Sequence, residues 1–230
     1  MTAHRTNIHY NTGSRKTAAG RTKSVTRASL ILTMLIIAGG LQKAAAQQWP
    51  FELWHEGKIV LLEGDTLRGL VKYDLQQDLL QYSISDKKTE ALSARKVLYF
   101  EIFDQTVRRY RQFFALPYTT PSQYKAPVFF ELLEEGKMTL LAREALEYRS
   151  YNSMYYMGAS YSRQVLVYKY FFLEENGTIV EFTGNKNDLL DLMGKKSEEV
   201  EKYVKANRLK YDEKYDLARI IAYYNSLFGT

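Results

Sequence analysis

Cysteine is absent from all 230 residues. Its absence removes disulfides, thiolate nucleophiles, thiolate metal ligands and the lipidated cysteine of a bacterial lipoprotein from consideration. Histidine is scarce as well, and beyond residue 46 only His55 remains. A zinc site would have to be built from one imidazole and several carboxylates, and neither a His-Glu-x-x-His motif nor an EF-hand loop is present. A serine-histidine-acid triad would have to use His55, which reads as a surface or turn residue. Gly158-Ala159-Ser160-Tyr161-Ser162 lacks the glycine two places after the serine that a nucleophile elbow requires. No glycine-rich phosphate cradle joins a strand to a helix. Paired carboxylates could still serve glycoside hydrolysis, but Asp104, Glu131 and Glu144 each read as ordinary solvated acids. These absences leave no catalytic residue, cofactor site or metal site to assign.

Long hydrophobic runs are also missing. The apolar stretch at residues 28–41 supplies 14 residues, short of the roughly 20 that a spanning helix needs. It follows a basic region ending at Arg27 and precedes Ala44-Ala45-Ala46, the order of an export signal with a small-residue cleavage site. Residues 1–46 are therefore expected to be a signal peptide, with a mature chain that has no transmembrane helix. The expected location is the periplasm or another extracytoplasmic site in the envelope.

Removing that segment changes the charge. It holds seven Lys and Arg and no acid, so the whole-chain excess of 32 basic over 26 acidic residues becomes 25 against 26. The pI of 9.2 thus rests on residues expected to be cut off, and no nucleic-acid partner is expected on charge grounds. The local cluster Arg108-Arg109-Tyr110-Arg111 reads as a solvated edge, with strand alternation spreading it over two faces. The mature length is enough for one core held without covalent staples.

What the chain has in abundance is aromatic residues and hairpin grammar. Residues 58–62 run into Gly64 and return over residues 66–73, Gly64 supplying the positive φ of a tight turn. Residues 74–78 read as the next turn, 79–84 as a strand and 85–89 as a polar loop. Residues 97–103 and 107–116 form a further pair around Asp104-Gln105-Thr106. Pro117, Pro121 and Pro127 mark residues 117–127 as a loop. Residues 128–134 and 137–144 flank Glu135-Gly136, a hairpin in preference to a short helix at 129–134. Residues 165–173 turn through Asn176-Gly177 into 178–182, the strongest hairpin signal in the chain. Strands paired with their sequence neighbours leave no room for parallel crossovers. The expected fold is α+β, mainly antiparallel sheet over residues 47–184, with a closed barrel as the architectural alternative.

From Asn185 the period changes from two to 3.6. Residues 188–193 read as a short helix, Ser197 as the cap of a second, and residues 213–228 as a third. Leu217, Ile220, Ile221, Tyr224 and Leu227 share one stripe of that last helix and are expected to pack on the sheet or the preceding helix. Residues 185–230 are therefore read as a helical subdomain.

Several segments carry a resemblance: Gly57-Lys58-Ile59-Val60-Leu61, Gly69-Leu70-Val71-Lys72-Tyr73-Asp74, Pro127-Val128-Phe129-Phe130-Glu131-Leu132, Glu135-Gly136-Lys137-Met138-Thr139-Leu140-Leu141 and the ending Tyr223-Tyr224-Asn225. Together with the signal, they resemble exported proteins of unknown role from Bacteroidota. The resemblance implies a Gram-negative envelope location and transfers no catalytic residue.

The segment that best suits recognition is residues 148–161, where Tyr148, Tyr151, Tyr155, Tyr156 and Tyr161 are joined by Met154 and Met157. Such rings either pave a curved hairpin or form a sugar-stacking or peptide-binding surface. The function expected is a noncatalytic binding or assembly module of the cell envelope, its partner an envelope protein or glycan. A small-ligand or lipid carrier and a carboxylate-dependent hydrolase are the alternatives.

Overall fold

The computed structural model describes residues 49–85, 88–119, 124–152 and 160–229. The expected signal at 1–46 lies outside the described residues, as do Met154, Tyr155, Tyr156 and Met157. Residues 48–230 form one compact unit, mostly a single ten-stranded antiparallel sheet followed by three helices. In chain order the strands are β1 (His55–Leu61), β2 (Thr66–Asp74), β3 (Leu79–Ser85), β4 (Lys88–Ser93) and β5 (Val97–Asp104). Then come β6 (Arg109–Thr119), β7 (Lys125–Glu134), β8 (Thr139–Asn152), β9 (Ser160–Leu173) and β10 (Ile179–Phe182). Their order across the sheet is β10-β9-β8-β7-β6-β5-β1-β2-β3-β4, with both ends open.

Strands β8 and β9 extend to Asn152 and from Ser160, past the ends expected at 144 and 165, and two other parts of this sheet depart from the sequence reading. Strand β4 occupies residues expected to begin as loop, because an edge strand needs little apolar content and only Leu92 of β4 reaches the core. Strands β6 and β7 run into the proline-bounded stretch, with Pro117 opposite Pro127. Proline is tolerated where its nitrogen faces no neighbouring strand. That condition holds here, since β5 pairs with β6 only as far as Phe114 and β8 meets β7 only from Glu131 onward.

The sheet curls so far that β2 touches β8 across four intervening strands, Tyr73 Oη lying 3.0 Å from Glu144 Oε2. Gly57 and Gly69 permit this where they pair across β1 and β2. A Cβ at Gly57 would lie 2.4 Å from the Glu101 carbonyl oxygen, and one at Gly69 would lie 2.6 Å from that of Ser83. Inside the curl, Phe100 stacks on Phe113 at 4.5 Å and meets Phe129 edge-on at 5.1 Å. Ile59, Val71, Leu80 and Ile102 complete this fully buried core.

Strands β7 and β8 form a fork. They pair only at Glu131↔Ala142, Leu132↔Leu141 and Glu134↔Leu140, after which β7 stays with β6 while β8 continues beside β9 to Asn152. The turn after β2 fills the gap. Asp78 Oδ1 accepts from the Phe129 N–H at 2.8 Å and from Arg143 Nη1 at 2.8 Å. Arg143 also donates to the Phe129 carbonyl at 2.7 Å and to that of Leu75. Side chains thereby replace the ladder that the fork interrupts, as buried backbone groups require.

Helix α1 (Lys186–Met193) is capped by Asn185, whose side chain accepts from Asn187 N at 2.7 Å while Asp188 returns to Asn185 N at 2.7 Å. Helix α2 (Ser197–Asn207) contains Ser197 as its first residue, so the expected cap does not form there; a 3-10 turn at Gly194–Lys196 leads in instead. Helix α3 (Lys214–Ser226) buries Leu217, Ile220, Ile221 and Tyr224 against Leu140, Leu189, Val200 and Val204. Its end is tied down by Asn225, which accepts from Met138 N at 2.9 Å and donates to Met138 O at 3.0 Å.

Candidate functional site

Beyond the fork, β8 and β9 continue as a two-stranded ribbon whose register runs unbroken from Thr139↔Leu173 to Asn152↔Ser160. The β7 partner has gone, and β10 pairs only with Tyr170 to Leu173. Side chains that would be buried within a sheet become accessible: Tyr148 is 74% and Tyr161 54% exposed. Alternation divides them. One face carries Tyr151↔Tyr161 and Arg149↔Arg163 as directly opposed pairs, and the other carries Tyr148↔Gln164 and Ser150↔Ser162. Tyr151 stacks on Tyr161 with centroids 5.6 Å apart, and the Arg163 guanidinium sits 4.9 Å from the Tyr151 centroid. Neither Arg149 nor Arg163 has a carboxylate partner among the described residues. On the opposite face the two serine hydroxyls are 3.0 Å apart. Of the five tyrosines singled out from sequence, Tyr148, Tyr151 and Tyr161 are thus placed on this ribbon, with Tyr148 on the face away from the other two; Tyr155 and Tyr156 lie outside the described residues.

A second cluster corrects the sequence reading. Asp104, Glu131 and Glu144 are buried, not solvated, and they converge on buried Arg111. Arg111 Nε and Nη2 grip Glu131 at 2.9 and 2.7 Å, Nη2 also reaches Glu144 at 2.5 Å, and Nη1 donates to Asp104 at 2.9 Å and to Tyr73 Oη at 2.8 Å. All five guanidinium donors are used. Lys214 of α3 adds a further bond to Glu131 at 2.7 Å. The expected solvated edge at 108–111 therefore holds for Arg108, Arg109 and Tyr110 but fails at Arg111, which alternation turns inward. His55 is likewise buried, not at the surface; its Nε2 donates to the Pro50 carbonyl at 2.7 Å and its ring faces Tyr73.

The electrostatics of this cluster oppose reactivity. Burial would raise the Glu131 carboxyl, but Arg111 and Lys214 outweigh it and hold Glu131 below the usual carboxylate range. Asp104 is held low in the same sense, its burial outweighed by hydrogen bonds from Thr106 and Arg111. A general acid requires the opposite shift. Burial raises the Tyr73 hydroxyl well above its ordinary value, so it remains a neutral donor to Glu144. Burial also lowers the Lys214 ammonium despite Glu131 beside it. The arrangement acts as a rivet: one guanidinium joins β2, β5, β6, β7 and β8, and one lysine fixes α3 to it. A signal for it exists in the sequence, since Glu131 interrupts Phe129-Phe130-Glu131-Leu132-Leu133, a strand apolar on both faces.

Two shallow concavities of about 450 and 530 Å³ adjoin at Tyr168 and Asp212, beside the loop before α3. Among the described residues no group of three or more potential ligands is positioned to hold a metal ion. No described helix is long and apolar enough to cross a membrane. No family model matches the chain, and no curated protein or solved structure matches it either.

Proposed function

We propose that this protein is a noncatalytic binding module of the bacterial cell envelope, with the β8–β9 ribbon as its recognition element. One observation carries this reading: past the fork the ribbon presents half-buried Tyr151 stacked on exposed Tyr161, and two exposed arginines that have no carboxylate partner among the described residues. Exposed aromatics and arginines are the residue types that anchor interfaces. Asp104, Glu131 and Glu144, the acids that the sequence offered for hydrolysis, are committed to Arg111 and Lys214. A carrier would need an enclosed apolar interior, whereas Phe100, Phe113 and Phe129 pack on one another inside the curl and the cavity of about 320 Å³ beside Phe51, Tyr73 and Leu80 is lined by Glu52, Lys72 and Asp74 as well. The envelope location rests on the signal-like residues 1–46 and on the resemblance to exported Bacteroidota proteins.

The direct test shortens the ribbon. Joining Leu146 to Leu166 through Asn-Gly removes the exposed segment and keeps the riveted strands. The expected protein unfolds in urea near the wild-type midpoint and no longer associates with isolated envelopes. Retention of envelope association by the shortened protein would refute the reading.

A further inference from the structure

Arg149 and Arg163 face each other directly across the ribbon. Like charges at opposed positions of an antiparallel pair repel, and no described carboxylate relieves these two. The nearest acid on the same face, Glu147, is exposed and lies one inward step along β8, opposite Val165. Both guanidiniums are exposed, with Arg163 lying against Tyr151, and a guanidinium is suited to grip a planar carboxylate or a phosphate with two parallel bonds. One strand step further out, about 6.8 Å away, the Tyr151 and Tyr161 rings occupy the same face. An anion held by the arginines therefore lies beside an aromatic platform that can pack against the C–H face of a sugar.

Building on the binding-module reading, we propose that this face of the ribbon binds an anionic polysaccharide. The two guanidiniums take its acidic groups, and the Tyr151–Tyr161 pair takes an adjoining sugar ring. The ribbon is narrow and extended, which suits a linear polymer lying along it. Its other face bears Ser150, Ser162 and Gln164 around a single exposed ring, Tyr148, and so offers no continuous apolar stripe for insertion into lipid. The mature chain as a whole is close to neutral, so attraction is confined to this patch and carries a small salt dependence.

The test measures binding of the purified protein to polygalacturonate, to phosphomannan and to neutral dextran across a range of salt concentrations, with oligothymidylate as a competing polyanion. Binding to polygalacturonate or phosphomannan, and not to dextran, is expected; the stronger of the two identifies carboxylate or phosphate as the preferred group. Arg149→Gln with Arg163→Gln should weaken binding at least tenfold and flatten the dependence of log K on log salt by about 1 to 2. Tyr151→Ala with Tyr161→Ala should weaken it about fivefold or more while leaving that slope in place. Circular dichroism and urea midpoints should be unchanged in both variants, whose altered groups lie on the ribbon outside the core. Absence of binding to both acidic polymers, full binding by the arginine variant, or tighter binding of oligothymidylate would each overturn the proposal. If the acidic polymers fail while ribbon shortening still abolishes envelope association, the ligand class is wrong and the recognition role of the ribbon stands.

Discussion

Replacing Arg111 with alanine should convert the most connected point of the fold into its weakest. The wild-type side chain donates five hydrogen bonds, to three carboxylates and one tyrosine, and all of these groups are buried. Removing it leaves Asp104, Glu131 and Glu144 with Lys214 as the nearby buried cation. Breaking a buried pair from one side costs about 3–5 kcal/mol, and because three acids share this arginine the upper end applies, about 5 kcal/mol. A domain of this size has about 5–15 kcal/mol in total. With a urea dependence of about 2–3 kcal/mol per molar, the midpoint should fall by about 2 M, and Tm by about 10–20 °C. The pH dependence is the sharper readout. In the wild type the lowered carboxylates favour folding above the ordinary carboxylate pKa and lose that contribution as pH falls through their folded values. Without the guanidinium the same buried acids prefer to be neutral, their folded pKa rises above the unfolded one, and stability is lost as pH rises. Urea midpoints measured at pH 7 and pH 5 should therefore increase on acidification in Arg111→Ala and stay level or decrease in the wild type. A variant that keeps the wild-type pH slope, or loses less than about 1 kcal/mol, would refute the account of the cluster.

Three further outcomes are expected, two from this geometry and one from the signal-like residues 1–46. The wild-type urea midpoint should be flat from pH 7 to about 5 and decline below about pH 4, as protonation of Glu131 and Asp104 releases Arg111 and Lys214; a constant midpoint down to pH 3 would contradict this. Asn225→Ala should cost about 1–3 kcal/mol by removing the bonds to Met138 N and O, and amide exchange should quicken in α3 before the central strands; uniform exchange would argue against the latch. Expression in a Gram-negative host should give an envelope species whose N-terminal sequence begins near Gln47 or Gln48, and a cytoplasmic protein still starting at Met1 would reject export.

Much of the fold was legible because local chemistry specified it. Gly64 and Gly177 adopt φ of +100° and +81° at the turns their sequences announce, and the 3.6-residue period after Asn185 marks helices that pack where their apolar stripes point. Strand β4 was not legible, because an edge strand with one buried residue offers no alternating pattern. The rivet was hidden for a different reason. Asp104, Arg111, Glu131 and Glu144 lie on four strands, and nothing local records that the sheet curls until Tyr73 meets Glu144. Alternation did turn Arg111 away from Tyr110, but the sign of its surroundings is a tertiary property. The ribbon was half legible: its tyrosines stand out by composition, while the fork that exposes them depends on Asp78, far away in sequence, filling the gap beside Phe129 and Arg143.

The most direct measurement of the central claim is a paired comparison of envelope association by the wild type and by the protein whose ribbon is shortened between Leu146 and Leu166, with urea midpoints determined on the same preparations. The midpoints should agree closely, because the rivet and the three apolar clusters remain, and the association should disappear. Association that survives shortening in a protein of unchanged stability would contradict it.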